Sequence, residues 1–127
     1  MAYDNNNLAD WTSGAPDPAG HYSRIVTISA KDDSLAVRYQ GTKDQPFFTH
    51  FLGNHQRLPN GNMLVTESMH GRVFEVDADG RILWEHFNIV RPGLVGLVAN
   101  AVRLPAQFDT SFFSRASAAC RLAPDDE

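Results

Sequence analysis

Gly71-Arg72-Val73-Phe74-Glu75-Val76 repeats the pattern of Ser23-Arg24-Ile25-Val26-Thr27-Ile28 at an offset of 71 minus 23, or 48 positions. Leu35-x-Val37 then matches Ile82-x-Trp84 at an offset of 47, and Asn54-His55-Gln56-Arg57-Leu58-Pro59 matches Asn100-Ala101-Val102-Arg103-Leu104-Pro105 at 46. Three segments recurring at one spacing, each holding short apolar runs, are the mark of a repeat protein built from sheet units of four strands. Within each run apolar residues alternate with polar ones, the period of a strand and not of a helix.

Six strands are expected from this alternation, at Arg24 to Ser29, Leu35 to Tyr39, His55 to Leu58, Asn62 to Glu67, Arg72 to Asp77 and Ile82 to Phe87. A weaker seventh run is Ala101 to Leu104, and Ala2 to Asn5 reads as the tail of an earlier strand. Asn60-Gly61 and Asp79-Gly80 supply the φ > 0 positions of tight hairpins, and Lys31-Asp32-Asp33-Ser34 reads as a longer turn.

The fold class expected is all-β: a partial β-propeller of about two four-stranded antiparallel blades, with a poorly ordered carboxy-terminal tail. Residues 1–108 are assigned to the propeller, with a complete blade at about 53–88, and residues 109–127 to the tail. Two blades cannot close a ring, so their outer faces need cover from missing blades or from copies of the chain.

The stretch from Gln56-Arg57-Leu58-Pro59-Asn60-Gly61-Asn62 through Met63-Leu64-Val65-Thr66-Glu67, with Gly71-Arg72-Val73-Phe74-Glu75-Val76-Asp77 and Gly80-Arg81-Ile82-Leu83-Trp84-Glu85, resembles the arylsulfotransferase (aryl-sulfate sulfotransferase) family. Upstream, Tyr3-Asp4-Asn5-Asn6 and Tyr22-Ser23-Arg24-Ile25-Val26 are similar to stretches that precede it in that family. The resemblance covers about residues 2 to 105. It implies a six-bladed propeller of which this chain holds the carboxy-terminal third. It also implies sulfuryl transfer between phenolic compounds through a sulfated histidine at the channel mouth, helped by other histidines and an arginine. Where that family carries a His-Ser or His-Asp pair ahead of a blade's first strand, this chain has Gly53-Asn54. The sulfated histidine is therefore expected on blades outside this chain.

In a propeller the connections from strand 4 to strand 1 and from strand 2 to strand 3 share one end. On that assignment His21, His50, His55, His70 and His86 all fall on or beside one end, and the two Gly-containing hairpins on the other. His55, Arg57 and His50 are the catalytic candidates. An imidazole titrating near neutrality suits a nucleophile or general base, and a guanidinium suits an anionic group such as sulfate. Glu67 and His70 are the substrate-binding candidates. Against this stands a structural role for Arg57, because its repeat mate Arg103 occupies the same position.

The remaining features bound the partners. The chain has 127 residues, with 15 acids against 11 bases and no basic track, which argues against nucleic acid. The longest apolar run, Gly93 to Ala99, is far short of the ~20 residues of a membrane-crossing helix. The amino terminus has neither the positive flank nor the apolar stretch of a secretory signal. Cys120 is the single cysteine, so no internal disulfide forms. Asp77-Ala78-Asp79-Gly80 reads as a hairpin and not a calcium loop, since Asn88 stands where a bidentate Glu is needed. His50 and His55 lack a third metal ligand. No cofactor is expected. The partners expected are an aryl sulfate or phenol, together with further blades or copies of the chain. A non-catalytic scaffold and a quinone-cofactor-type propeller remain as alternatives with the same repeat spacing.

Overall fold

In the computed structural model, residues 1–5 and 22–121 are described. His21, considered above, lies outside them. Three antiparallel sheets, one α-helix and a single 3-10 turn at Ser68–His70 are the regular elements of the described residues. The first sheet contains β1 (Ala2–Asp4), β2 (Arg24–Ile28) and β3 (Leu35–Gln40) in that order. The second is a four-stranded meander of β4 (Asn54–Arg57), β5 (Met63–Glu67), β6 (Arg72–Val76) and β7 (Ile82–Phe87). The six strands read from alternation lie within a residue or two of these bounds, and Ala2 to Asn5 pairs with β2 as its expected neighbour.

Alternation decides which side chains meet. On β5 and β6 every residue is buried, because both faces of the sheet are covered. Met63, Val65, Phe74 and Val76 pack on one face against Ile25 and Tyr39 of the first sheet, with Phe47 between them. Phe47 meets Tyr3, Tyr39 and Phe74 at ring-centroid separations of 5.6, 5.4 and 5.5 Å. The connection between β3 and β4 thus plugs the space between the sheets. Burying each of these large side chains contributes about 1.5–3 kcal/mol. Leu64 and Val73 point to the other face, where they join Leu58 and pack against Val98 and Ala101.

The β4–β5 and β6–β7 hairpins of the second sheet have the same design. Gly61 N–H donates to Leu58 O and Leu58 N–H to Asn62 O, while Gly80 N–H donates to Asp77 O and Asp77 N–H to Arg81 O. Only the glycine in each has positive φ, 90° at Gly61 and 81° at Gly80. Asn60 and Asp79 stay at negative φ, unlike the reading of a turn in which both central residues are left-handed. A three-residue loop with glycine in the left-handed position explains this. In the first hairpin the left-handed residue is Asp33, φ 56°.

Three departures from the sequence reading have physical causes. Ala101 to Leu104 does not form a strand, because it bonds to side chains and has no backbone ladder. Ala101 N–H donates to Thr66 Oγ1 and Arg103 N–H to Gln56 Oε1, at 3.1 and 2.6 Å. Second, β8 (Ile89–Arg91) and β9 (Leu94–Val95) form a hairpin across Pro92-Gly93, with Gly93 at φ 77°. Third, within the expected tail Thr110–Arg121 form the helix α1. Asp109 Oδ1 accepts the Phe112 N–H at 2.8 Å, capping a segment of small, helix-favouring residues.

Candidate functional site

Period two places His55 and Arg57 on the face of β4 that looks toward the first sheet, opposite Val65 and Met63 respectively. There they line an inter-sheet cleft of about 520 Å³ with Thr27, Arg38, Met63 and Asp77. Arg38 Nε donates to Thr27 Oγ1 at 2.9 Å. His55 Nδ1 is buried and has no hydrogen-bond partner. Burial, with the nearby amino-terminal charge adding to it, holds the His55 imidazole below its ordinary range. At neutral pH the ring is therefore uncharged, a state suited to accepting a proton or attacking an electrophile.

The other candidates gather elsewhere. Glu67 is buried, and its carboxylate is occupied by protein donors. Oε1 accepts the Phe48 N–H at 2.7 Å and lies 2.9 Å from His70 Nδ1, while Oε2 takes Arg72 Nη1 at 3.3 Å. Arg72 in turn reaches Glu85 at 2.7 Å and Pro46 O at 3.0 Å, and its guanidinium lies 4.6 Å from the centre of the Phe74 ring. Glu67 thereby ties the β3–β4 connection to β5 and β6. His50 is exposed, its ring 4.7 Å from that of Phe48 on the same connection.

The five candidates therefore form two groups and not one. His55 lines the cleft together with Gly61, Asp77 and Ala78 of the two Gly-containing hairpins, the end expected to lack histidines. The cause is the shortness of β4, four residues long, which lets one cleft run from His55 past Arg57 to the hairpins.

A residue the sequence reading passed over organises the opposite face of the second sheet. Glu75 is 5% exposed and accepts four side-chain donors. Asn62 and Asn60 reach Oε1 at 2.7 and 3.3 Å; Trp84 Nε1 and Arg103 Nη2 reach Oε2 at 2.9 and 2.7 Å. These bonds, Asn62 foremost, outweigh burial and hold the carboxyl down to about 2. The available signal was a lone acid in the middle of an apolar strand facing Trp84 across the ladder.

These features define a stacked antiparallel meander protein with a polar cleft between its sheets. The arylsulfotransferase (ASST) family model matches residues 1–89, spanning both main sheets, and the chain belongs to that family. No curated protein and no solved structure gave a significant match.

Proposed function

We propose that the two main sheets are neighbouring blades of an arylsulfotransferase-type β-propeller whose closed ring transfers sulfuryl groups between phenolic compounds. The observation that carries this reading is the four-stranded meander β4–β7 stacked on the β1–β3 meander through one apolar core, inside the stretch matched to the family. The repeat spacing supports it further. Further sheets, from copies of the chain or from other segments, would complete the ring.

In such a transfer the sulfur–oxygen bond of an aryl sulfate breaks as a bond to an imidazole nitrogen forms. The departing phenolate takes up a proton, and the second phenol then reverses the process. On this reading His55 and Arg57 are the members of this chain best suited to the chemistry, with His50 third. Glu67 and His70 would act by shaping the opposite end and not by direct contact, since the Glu67 oxygens are already occupied. A second reading, a non-catalytic scaffold, is favoured by exposed apolar side chains such as Ile28, Leu35 and Val37 on the first sheet and Ile89 and Val90 beyond the second.

Size-exclusion chromatography with light scattering, followed by transfer from 4-nitrophenyl sulfate to phenol on each peak, separates the two. A defined oligomer with transfer activity supports the enzyme reading. A defined oligomer without activity supports the scaffold.

A further inference from the structure

In the repeat, β2 and β3 correspond to β6 and β7, and β1, which pairs with β2, corresponds to β5. Nothing corresponds to β4, since among the described residues no strand lies beyond β1 in the three-stranded sheet. Residues 100–105 match residues 54–59 and so carry the sequence of such a first strand. This segment lies on the outer face of the second sheet, where Asn54 Nδ2 donates to Asn100 Oδ1 at 2.6 Å and Arg103 Nη2 to Glu75 Oε2 at 2.7 Å. Its backbone bonds alternate. Ala101 and Arg103 give their N–H groups to Thr66 Oγ1 and Gln56 Oε1, and Arg103 O accepts from Gln56 Nε2. No bond among the described residues uses the backbone N–H or C=O of Asn100, Val102 or Leu104. In an extended chain those groups share one edge, which is therefore open to a ladder. Leu104 is 46% exposed, whereas Leu58, its counterpart behind β4, is 4% exposed. The outer face of the first sheet is open in the same sense. Ile28 and Leu35 pair across β2 and β3 and are exposed, while their repeat counterparts Val76 and Ile82 pack in the core between the sheets.

We propose that the strand and the sheet meet between two copies of the chain: the segment 100–104 of one copy adds beside β1 of the next, and the outer faces of the second and first sheets stack around it. The β4–β5 ladder sets the register. Asp4 stands opposite Arg24 as Glu67 stands opposite Arg72, and both pairs are ion pairs, at 2.6 and 3.3 Å. Tyr3 and Ala2 then occupy the places of Thr66 and Val65. Because Asn54 and His55 pair with Thr66 and Val65, Asn100 falls opposite Tyr3 and Ala101 opposite Ala2. Leu58 N–H donates to Asn62 O, so by alternation His55 and Val65 are a non-hydrogen-bonded pair. Ala101, in the place of His55, therefore needs no ladder bond and keeps its N–H on Thr66, while Asn100 and Val102 supply the groups that a ladder takes. The contact joins different surfaces of two copies, head to tail, so growth passes beyond a dimer until a ring closes. This rests on reading the two main sheets as neighbouring blades and not on the transfer chemistry.

Cysteine pairing in the full chain tests this, with the exposed Cys120 replaced by serine throughout. Chains carrying Ala2→Cys are mixed with chains carrying Ala101→Cys and oxidised mildly. A disulfide between the two kinds of chain is expected as the main product, because a non-hydrogen-bonded pair places its Cα atoms about 4.5 Å apart, within disulfide reach. Ser34→Cys, on the hairpin between β2 and β3, should give only background when it takes the place of Ala2→Cys. In sedimentation velocity the chain without added cysteines should form species beyond the dimer. Val102→Pro removes an N–H that has no partner among the described residues, so it should reduce those species to folded monomer by denying the ladder a donor. If that variant does not fold, the cysteine pair decides. Cross-linking no greater than with Ser34→Cys overturns the proposal. So does a monomeric wild type, an oligomer that survives Val102→Pro, or a preference of each cysteine variant for itself, which would mark a two-fold contact. A cross-linked assembly without sulfuryl transfer fails the enzyme reading alone, and transfer by a monomer fails this proposal alone.

Discussion

Replacing Glu75 by glutamine would measure how much one buried carboxylate contributes to the second sheet. The acid takes four donors, two on each oxygen, and its side chain is 6% exposed. Glutamine keeps one acceptor oxygen but turns an amide nitrogen toward the other pair of donors, so two bonds become donor against donor. Hydrogen bonds to charged groups contribute about 1.5–3 kcal/mol each, and leaving their partners buried and unpaired costs a similar amount. Because the contacts share one carboxylate, the loss at pH 7 is expected near 3 kcal/mol and not the sum of four. The depressed carboxyl, a consequence of the same hydrogen bonds, leads to a similar magnitude. The carboxyl lies at about 2 in the folded chain against an ordinary 4.5, and each pH unit is worth 1.36 kcal/mol, so linkage gives about 3 kcal/mol. A depressed folded value means that this stability is present above about pH 4.5 and is lost as the pH falls toward 2. Urea unfolding followed by circular dichroism at pH 7, 4.5 and 2.5 checks both numbers. The gap between the wild type and Glu75→Gln should be widest at pH 7 and shrink steadily with acid. A gap under about 0.5 kcal/mol at pH 7, or one independent of pH, would refute the account of Glu75 as an ionised four-donor hub.

Other substitutions probe other parts of the fold. Gly71→Ala should cost well over the ~1–3 kcal/mol of left-handed strain, because an added Cβ would meet the Gly96 carbonyl, whereas Gly61→Ala, with open space at φ 90°, should cost only that strain; thermal melts of the pair compare them. Tyr39 carries a buried hydroxyl without a partner, so Tyr39→Phe should be neutral or stabilising by about 1 kcal/mol in urea unfolding. Phe74→Ala opens the centre of the core and should cost about 3–5 kcal/mol by the same measurement. The depressed His55 imidazole contributes stability that is present above its ordinary range near 6.5 and is lost as the pH falls through its folded value. His55→Gln should flatten the stability profile as the pH falls below the ordinary imidazole range, and an unchanged slope would exclude that role.

Strand identity was legible because burial on one or both faces imposes a period of two, and the Gly-containing turns punctuate it at Gly61 and Gly80. The helix was missed because its cap, Asp109, precedes a segment whose composition also suits an unstructured tail. The β8–β9 hairpin has a readable Pro92-Gly93 turn, but the sequence reading takes Gly93 to Ala99 as one apolar run, which contains β9 and leaves out β8. Ala101 to Leu104 was misread for the opposite reason. Its match to Asn54–Arg57 is real in sequence, yet without a neighbouring strand to pair with it bonds to Thr66 and Gln56 side chains.

Local periodicity and turn chemistry therefore determine the strands, their order and the repeat spacing, since those depend on neighbours within a few residues. Which charged groups meet depends on how strands pair and how the connections fold back over the sheet, which no local pattern encodes. Only the tertiary structure separated His55 and Arg57 from Glu67 and His70, occupied the Glu67 carboxylate with Phe48 and Arg72, and made Glu75 a hub. The reason is geometric: a strand chooses the face of each side chain, but the partners on that face, such as Phe48 for Glu67 and Trp84 and Arg103 for Glu75, come from other strands and connections.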